Sequence, residues 1–235
     1  MLGNYITVDG VSSRTVGLFC KQLPVWPIAM QGFNAITVAG RLDNLYQPSR
    51  HYNDIQIDIE AVFIGLFIDD VVKYFAEGKK LVLSNMPDRY GIIRQLVAID
   101  QKRAGNGALE LKITLKLAPF KYYITEPDSY SSSPALFTTF GNIYSEPLIV
   151  MKGCSDGASI TVNGTTLTTS GLTGDIYVDV PNHVVYQLVD GVKTVVQEHT
   201  TGNLWNLLLV PDESAFNQIE FSGCTISVET NMRWL

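Results

Sequence analysis

Residues 109–117 alternate without a break. Leu109, Leu111, Ile113, Leu115 and Leu117 are apolar, while Glu110, Lys112, Thr114 and Lys116 between them are polar. Successive side chains of an extended strand point to opposite faces, so a pure period of two is compatible with a strand and not with a helix. One face is therefore predicted to be core and the other to meet water. Pro119 is expected to stop the strand, because it has no N–H to donate to a ladder. A shorter version occurs at 55–59, where Ile55, Ile57 and Ile59 alternate with Gln56 and Asp58.

The period changes only once. Ile68, Val71, Val72 and Phe75 fall at helical spacing. Asp69 and Asp70 would lie in the first turn, where the helix dipole favours acids, and Gly78 suits a position past the end. Strand signals surround this short helix. Leu81–Leu83 leads through a turn-rich Asn85–Tyr90 into Gly91–Ile99, and Gly105-Asn106-Gly107 reads as a tight turn. From residue 126 onward the pattern is all β. Asn163-Gly164 and Asp190-Gly191 each sit between two apolar runs, the signal of a two-residue type I′ hairpin. Strands are also predicted at Asp175–Val180, Trp205–Val210, Gln218–Phe221 and Thr225–Glu229. About seven or eight short strands with regular turns, in roughly 100 residues, indicate a β-sandwich or jelly roll.

Composition changes at the same place as the pattern. Residues 1–125 carry 14 Lys+Arg and 11 Asp+Glu, and residues 126–235 carry 3 and 12, which divides the net charge of -6 into +3 and -9. The stretch EPDSYSSSP beginning at residue 126 reads as a linker, giving domains 1–125 and 126–235. No run of about 18 apolar residues occurs, so no helical membrane span is expected. No basic block predicts nucleic-acid binding, and the N-terminus has no secretory pattern.

Motifs that carry chemistry are missing. His51, His183 and His199 have no second ligand at metal spacing. Cys20, Cys154 and Cys224 are too sparse and too few for a disulfide framework and read as buried thiols. Adjacent Asp69 and Asp70 would point about 100° apart on a helix and make no acid/base pair. Asp43, Asp54 and Asp58 lack the spacing of a continuous calcium loop. Trp26, Trp205 and Trp234 have apolar neighbours and are expected in cores, the alternative being exposed platforms for sugar rings. No catalytic residue, metal or cofactor is expected. The segment 40–54 reads as a polar surface loop that carries Leu42, Leu45 and Tyr46, candidate contacts of an arm lying on a neighbouring subunit.

Three groups of residues, in order along the chain, resemble the distal tail proteins of phages with long non-contractile tails. The first is Val38-Ala39-Gly40-Arg41, followed by Tyr52-Asn53-Asp54 and the alternating strand 55–59. The second is Ala118-Pro119-Phe120-Lys121-Tyr122. The third is Gly202-Asn203-Leu204-Trp205 with Leu207, Pro211 and Asn217, and then Met232-Arg233-Trp234-Leu235. Leu42-Asp43 after the Gly-Arg pair, and the longer Pro211–Asn217 stretch, depart from the pattern. The resemblance implies a mainly β chain with one short helix. It would have an N-terminal β-sandwich-like, ring-forming domain and a C-terminal galectin-like β-sandwich. It implies a homo-hexameric ring at the virion tail tip, made in the bacterial host cytoplasm from a phage or prophage. Such a baseplate hub joins the tail tube and tape-measure end to the tail-associated or baseplate proteins that serve host adsorption. DNA would cross its lumen without sequence-specific contact, and no membrane would be involved. A carbohydrate-binding module for cell-wall saccharide is the alternative.

Overall fold

The computed structural model describes residues 4–65, 67–105, 107–211 and 216–235, and of Arg50 only the backbone. The chain forms two compact units, residues 1–122 with Leu235, and residues 123–234. No charged residue lies in 123–125, so the +3 and -9 of the sequence fall one on each unit. The architecture is mainly β with one short α-helix among the described residues, as expected. No helix of the described residues is long and apolar enough to cross a membrane.

The first unit is built on one antiparallel sheet. Its strands lie in the order Val11–Ser12, Ile6–Val8, Lys80–Leu83, Met86–Arg103, Leu109–Tyr123, Ile55–Phe63 and Leu18–Gln22. The two alternating segments pair directly, from Ile55 opposite Leu117 to Phe63 opposite Leu109. Because partners share a face, Ile57 meets Leu115, Ile59 meets Ile113 and Ala61 meets Leu111, all buried. Fully burying a side chain of this size contributes about 1.5–3 kcal/mol. Helix Asp69–Tyr74 closes one side of this core with Val71, Tyr74 and the following Phe75, while Val72 faces solvent. Tyr74 takes the place expected for Val72 on the core face, and its hydroxyl lies 2.8 Å from Val11 O, to which it donates, and 3.3 Å from Ile6 O.

Pro119 does not end its strand, which runs on to Tyr123. The register with Ile55–Phe63 stops at Leu117. Pro119 therefore lies past the ladder on that edge, where its missing N–H costs no bond. The neighbouring strand begins at Met86, so the expected turn shrinks to the residues just before it. Of the predicted 105–107 turn, Asn106 lies outside the described residues, and Gly105 and Gly107 have φ of 79° and 78°.

The second unit is a sandwich. One sheet runs Asp128–Tyr130, Thr225–Glu229, Leu148–Cys154, Gly174–Asp179, Val184–Val189, Val192–Val195; the other runs Ala135–Phe137, Asn217–Ser222, Ser159–Val162, Thr165–Thr169, Thr200–Gly202. Both sheets feed one core, with Ile149, Met151, Ile176 and Val178 from the first and Ile160, Val162, Leu167 and Ile219 from the second. Both predicted hairpins are present with positive φ at each turn residue, Asn163 and Gly164 at 46° and 87°, Asp190 and Gly191 at 51° and 77°. That is the backbone a type I′ turn requires. The strand predicted at 205–210 is absent. Leu204–Asn206 is a 3-10 turn capped by Asn203, whose side chain accepts the Trp205 N–H at 3.0 Å. Leu207 and Leu209 are buried, and Leu209 makes only an isolated bridge to Ser145.

Asn217 is the polar centre of this unit. Its Oδ1 accepts from Asn163 Nδ2 and from the Val210 N–H, both at 2.8 Å, and its Nδ2 donates to Val210 O at 3.0 Å and Thr139 Oγ1 at 3.2 Å. The longer segment after Pro211 noted in the sequence, residues 212–215, lies outside the described residues. Removing one member of a saturated buried amide network leaves several groups without partners. Asn217→Ala is expected to destabilise the chain by about 2–4 kcal/mol in denaturant unfolding; a loss under about 0.5 kcal/mol would show that water replaces the amide.

Candidate functional site

Strand Gln31–Ile36 pairs with Leu45–Tyr52 as a separate two-stranded sheet that joins no other sheet of the described residues. The segment 40–54 is therefore not simply a loop: from Leu45 onward it is the returning strand of a hairpin. Its root is fixed in the first unit's core. Trp26 and Ala29 are buried just before it, and Tyr52 packs edge-on against Phe120 with ring centroids 5.5 Å apart. Asn53 N–H donates to Met30 O at 3.0 Å, and Gln31 Nε2 donates to Ser49 O at 2.6 Å. The Trp26 ring lies over Gly91, at a position where a Cβ would overlap it.

Beyond the root the arm carries apolar side chains on both faces. Phe33 opposes Pro48 and Ala35 opposes Tyr46 on one face; Ile36 opposes Leu45 on the other. Phe33 is 58% exposed and Tyr46 67%, and Leu42 at the tip is fully exposed. Val25, Ile28 and Met30, at the approach to the arm, are exposed as well. The three residues expected at an interface, Leu42, Leu45 and Tyr46, thus share one element. Sequence reasoning missed the other strand, because the stretch 31–36 alternates too weakly to stand out.

The water-facing side of the main sheet has a different chemistry. Lys112 Nζ lies 3.0 Å from Asp58, Lys116 Nζ 3.4 Å from Asp54 and Lys21 Nζ 2.6 Å from Glu110. The first two pairs follow from the register of the two paired strands, and Lys21 reaches Glu110 across the intervening strand Ile55–Phe63. A depression of about 280 Å³ on this face is lined by Lys21, Lys102 and Lys112 against Glu60, Asp100 and Glu110, a balanced set without preference for anion or cation. Asp54 and Asp58 each answer a lysine and Asp43 answers Arg41, so the three do not converge on a cation.

The remaining candidates are scattered. Trp26 is buried, but Trp205 is 65% exposed, contrary to expectation, because the turn at Leu204–Asn206 sends Leu204 inward and the indole out. Its ring stacks on His183, centroids 3.4 Å apart. His199 lies 3.8 Å from Glu198, and His51 is exposed on the arm. Among the described residues no three His, Cys, Asp or Glu side chains group as a metal site.

No family profile matches the sequence, and no curated protein sequence matches it. The fold, however, is shared with a solved phage protein. That structure is the SPP1 Dit (gp 19.1) protein, described as a paradigm of the hub adsorption apparatus in phages infecting Gram-positive bacteria; it is 13% identical, with a TM-score of 0.64, over 99% of both chains. At that identity the likeness is one of fold, and at that level it agrees with the resemblance read from the sequence.

The hydrogen bond from Thr114 Oγ1 at 2.7 Å, and then Lys112, hold the Asp58 carboxyl below the usual carboxylate range. A depressed folded pKa contributes stability that is complete above the unfolded value of about 4 and is lost as pH falls through the folded value. Thr114→Val is expected to raise the Asp58 pKa in a carboxyl-carbon NMR titration. An unchanged midpoint would assign the depression to Lys112 alone.

Proposed function

We propose that the chain is a structural subunit of a phage tail-tip hub, in which copies of the first unit join as a ring, the hexamer being the expected closure. The observation that carries this reading is the arm Gln31–Tyr52, with exposed apolar side chains on both faces and no other sheet of the described residues paired to it. A two-stranded hairpin is marginally stable alone. A neighbouring copy would bury Leu42, Leu45 and Tyr46, and cyclic closure would leave no arm unpaired. The charge division supports the same arrangement. A first unit at +3 packs against itself with little repulsion, while a second unit at -9 keeps outer domains apart. The shared fold with SPP1 Dit extends over nearly the whole chain.

In this reading the hub sits at the virion tail tip. Its partners are the tail tube, the tape-measure end and the tail-associated or baseplate proteins, DNA passes through its lumen, and it performs no catalysis. Light scattering or native mass spectrometry is expected to find a particle of about 156 kDa, six copies of the 26.0 kDa chain. Leu45→Asp and Tyr46→Asp are each expected to shift the assembly toward monomer at least tenfold in concentration, since burying an unpaired carboxylate at a packed contact costs more than about 1.4 kcal/mol. Variants that keep the parent particle at equal dilution would remove the arm from the interface, and a chain that stays at 26.0 kDa at every concentration would remove the self-closing ring.

A second reading rests on Trp205, whose exposed indole suits stacking against a sugar ring. It predicts saccharide binding to host cell-wall fragments that falls about tenfold in Trp205→Ala. Equal binding by parent and variant ends it.

A further inference from the structure

Cys154 and Cys224 are 70 residues apart in the chain and adjacent in the second unit. Strand Leu148–Cys154 runs antiparallel to Thr225–Glu229, with Lys152 opposite Thr225. On the other side of the cysteines Ser155 donates its backbone N–H to Gly223 O at 2.8 Å and its hydroxyl to the same oxygen at 3.3 Å. The two backbones are thus tied together on both flanks of the pair. Each cysteine follows a glycine of positive φ, Gly153 at 61° and Gly223 at 70°. Gly153 bends strand Leu148–Cys154 out of regular alternation, and Gly223 sits in the turn between Asn217–Ser222 and Thr225–Glu229. Cys154 enters the sandwich core and Cys224 packs against that same core from a partly buried position, and each thiol bears on the ionisation of the other. Both are free, and Cys20 belongs to the other unit.

We infer that Cys154 and Cys224 form a modification site that closes to an intramolecular disulfide when the protein meets a low-molecular-weight disulfide, as it would outside a reducing cytosol. The thiolate of Cys224, the more accessible of the two, attacks one sulfur of the reagent. The reagent S–S bond breaks, and one reagent thiol leaves with a proton from water. Cys154 then gives its proton to water and attacks Cys224 Sγ in the mixed disulfide, releasing the second reagent thiol. The protein loses two electrons and two protons, and the reagent disulfide gains both. Burial holds both thiols above their ordinary range, and burial with the adjoining Cys224 pushes Cys154 up to about 12. Thiolate is therefore scarce at neutral pH and closure is slow. A link between these strands also closes a long loop in the unfolded chain, which stabilises the folded one.

The inference stands apart from the tail-hub reading and is tested on the full chain. After prolonged incubation with oxidised glutathione, thiol titration in denaturant is expected to find one of the three thiols still free. The mass is expected to fall by about 2 Da, with peptide mapping placing the link at Cys154–Cys224. Thermal unfolding is expected to rise by about 5 °C or more. In C154S the first step has no resolving partner, so a glutathione adduct should persist on Cys224. Three free thiols after exposure, an adduct on Cys224 of the parent chain that is never displaced, or a link to Cys20 overturns the proposal. If C154S does not fold, the mapping of the parent chain decides alone.

Discussion

The first unit depends on a single register, that of Ile55–Phe63 against Leu109–Tyr123. Nine successive pairs place every isoleucine of one strand against an apolar partner of the other. A slip of one residue would send the whole apolar row into water and the lysines and acids into the core. The same register sets Lys112 beside Asp58 and Lys116 beside Asp54 on the outer face. It also fixes the root of the arm, since only Asn53 and Asp54 separate the end of the returning arm strand at Tyr52 from Ile55.

The two units solve the problem of apolar surface differently. The second encloses its own: two sheets face each other, and the amide of Asn217 satisfies the polar groups trapped where Thr139, Val210 and Asn163 converge. The first encloses most of its own and leaves the arm uncovered. A hairpin with Phe33, Tyr46, Ile36 and Leu45 in water contrasts with the main sheet, whose outer face is lined by ion pairs. It is this exposed apolar surface that the proposed contact with another copy would cover, and the small net charge of the unit opposes such a contact little.

Local physics was legible wherever it was strong. Asn163-Gly164 and Asp190-Gly191 imposed their turns because few other residues accept positive φ twice in succession. The acidic first turn of the helix was equally plain. Legibility failed where neighbours decided. Pro119 continued a strand because no partner needed its N–H. Trp205 faced water because Asn203 capped a turn in place of the expected strand. Leu45–Tyr52 became a strand only because Gln31–Ile36 lay beside it. The arm residues Leu42, Leu45 and Tyr46 could be suspected from apolar character in a polar stretch, whereas Phe33 and Ile36 gave no local sign.

The sequence by itself determined the β class, the short helix that begins at Asp69 and the change in charge and composition between the two parts, since each follows from periodicity or counting along the chain. Tertiary structure decided which strands pair, which apolar residues stay uncovered and which distant residues meet. Cys154 and Cys224 illustrate the difference. Each is a glycine–cysteine step with no meaning alone, and they become neighbours only because antiparallel pairing brings Lys152 against Thr225 and both side chains pack on one core. Contact between residues so far apart depends on the register of the strands that carry them, and register is a property of the packed sheet.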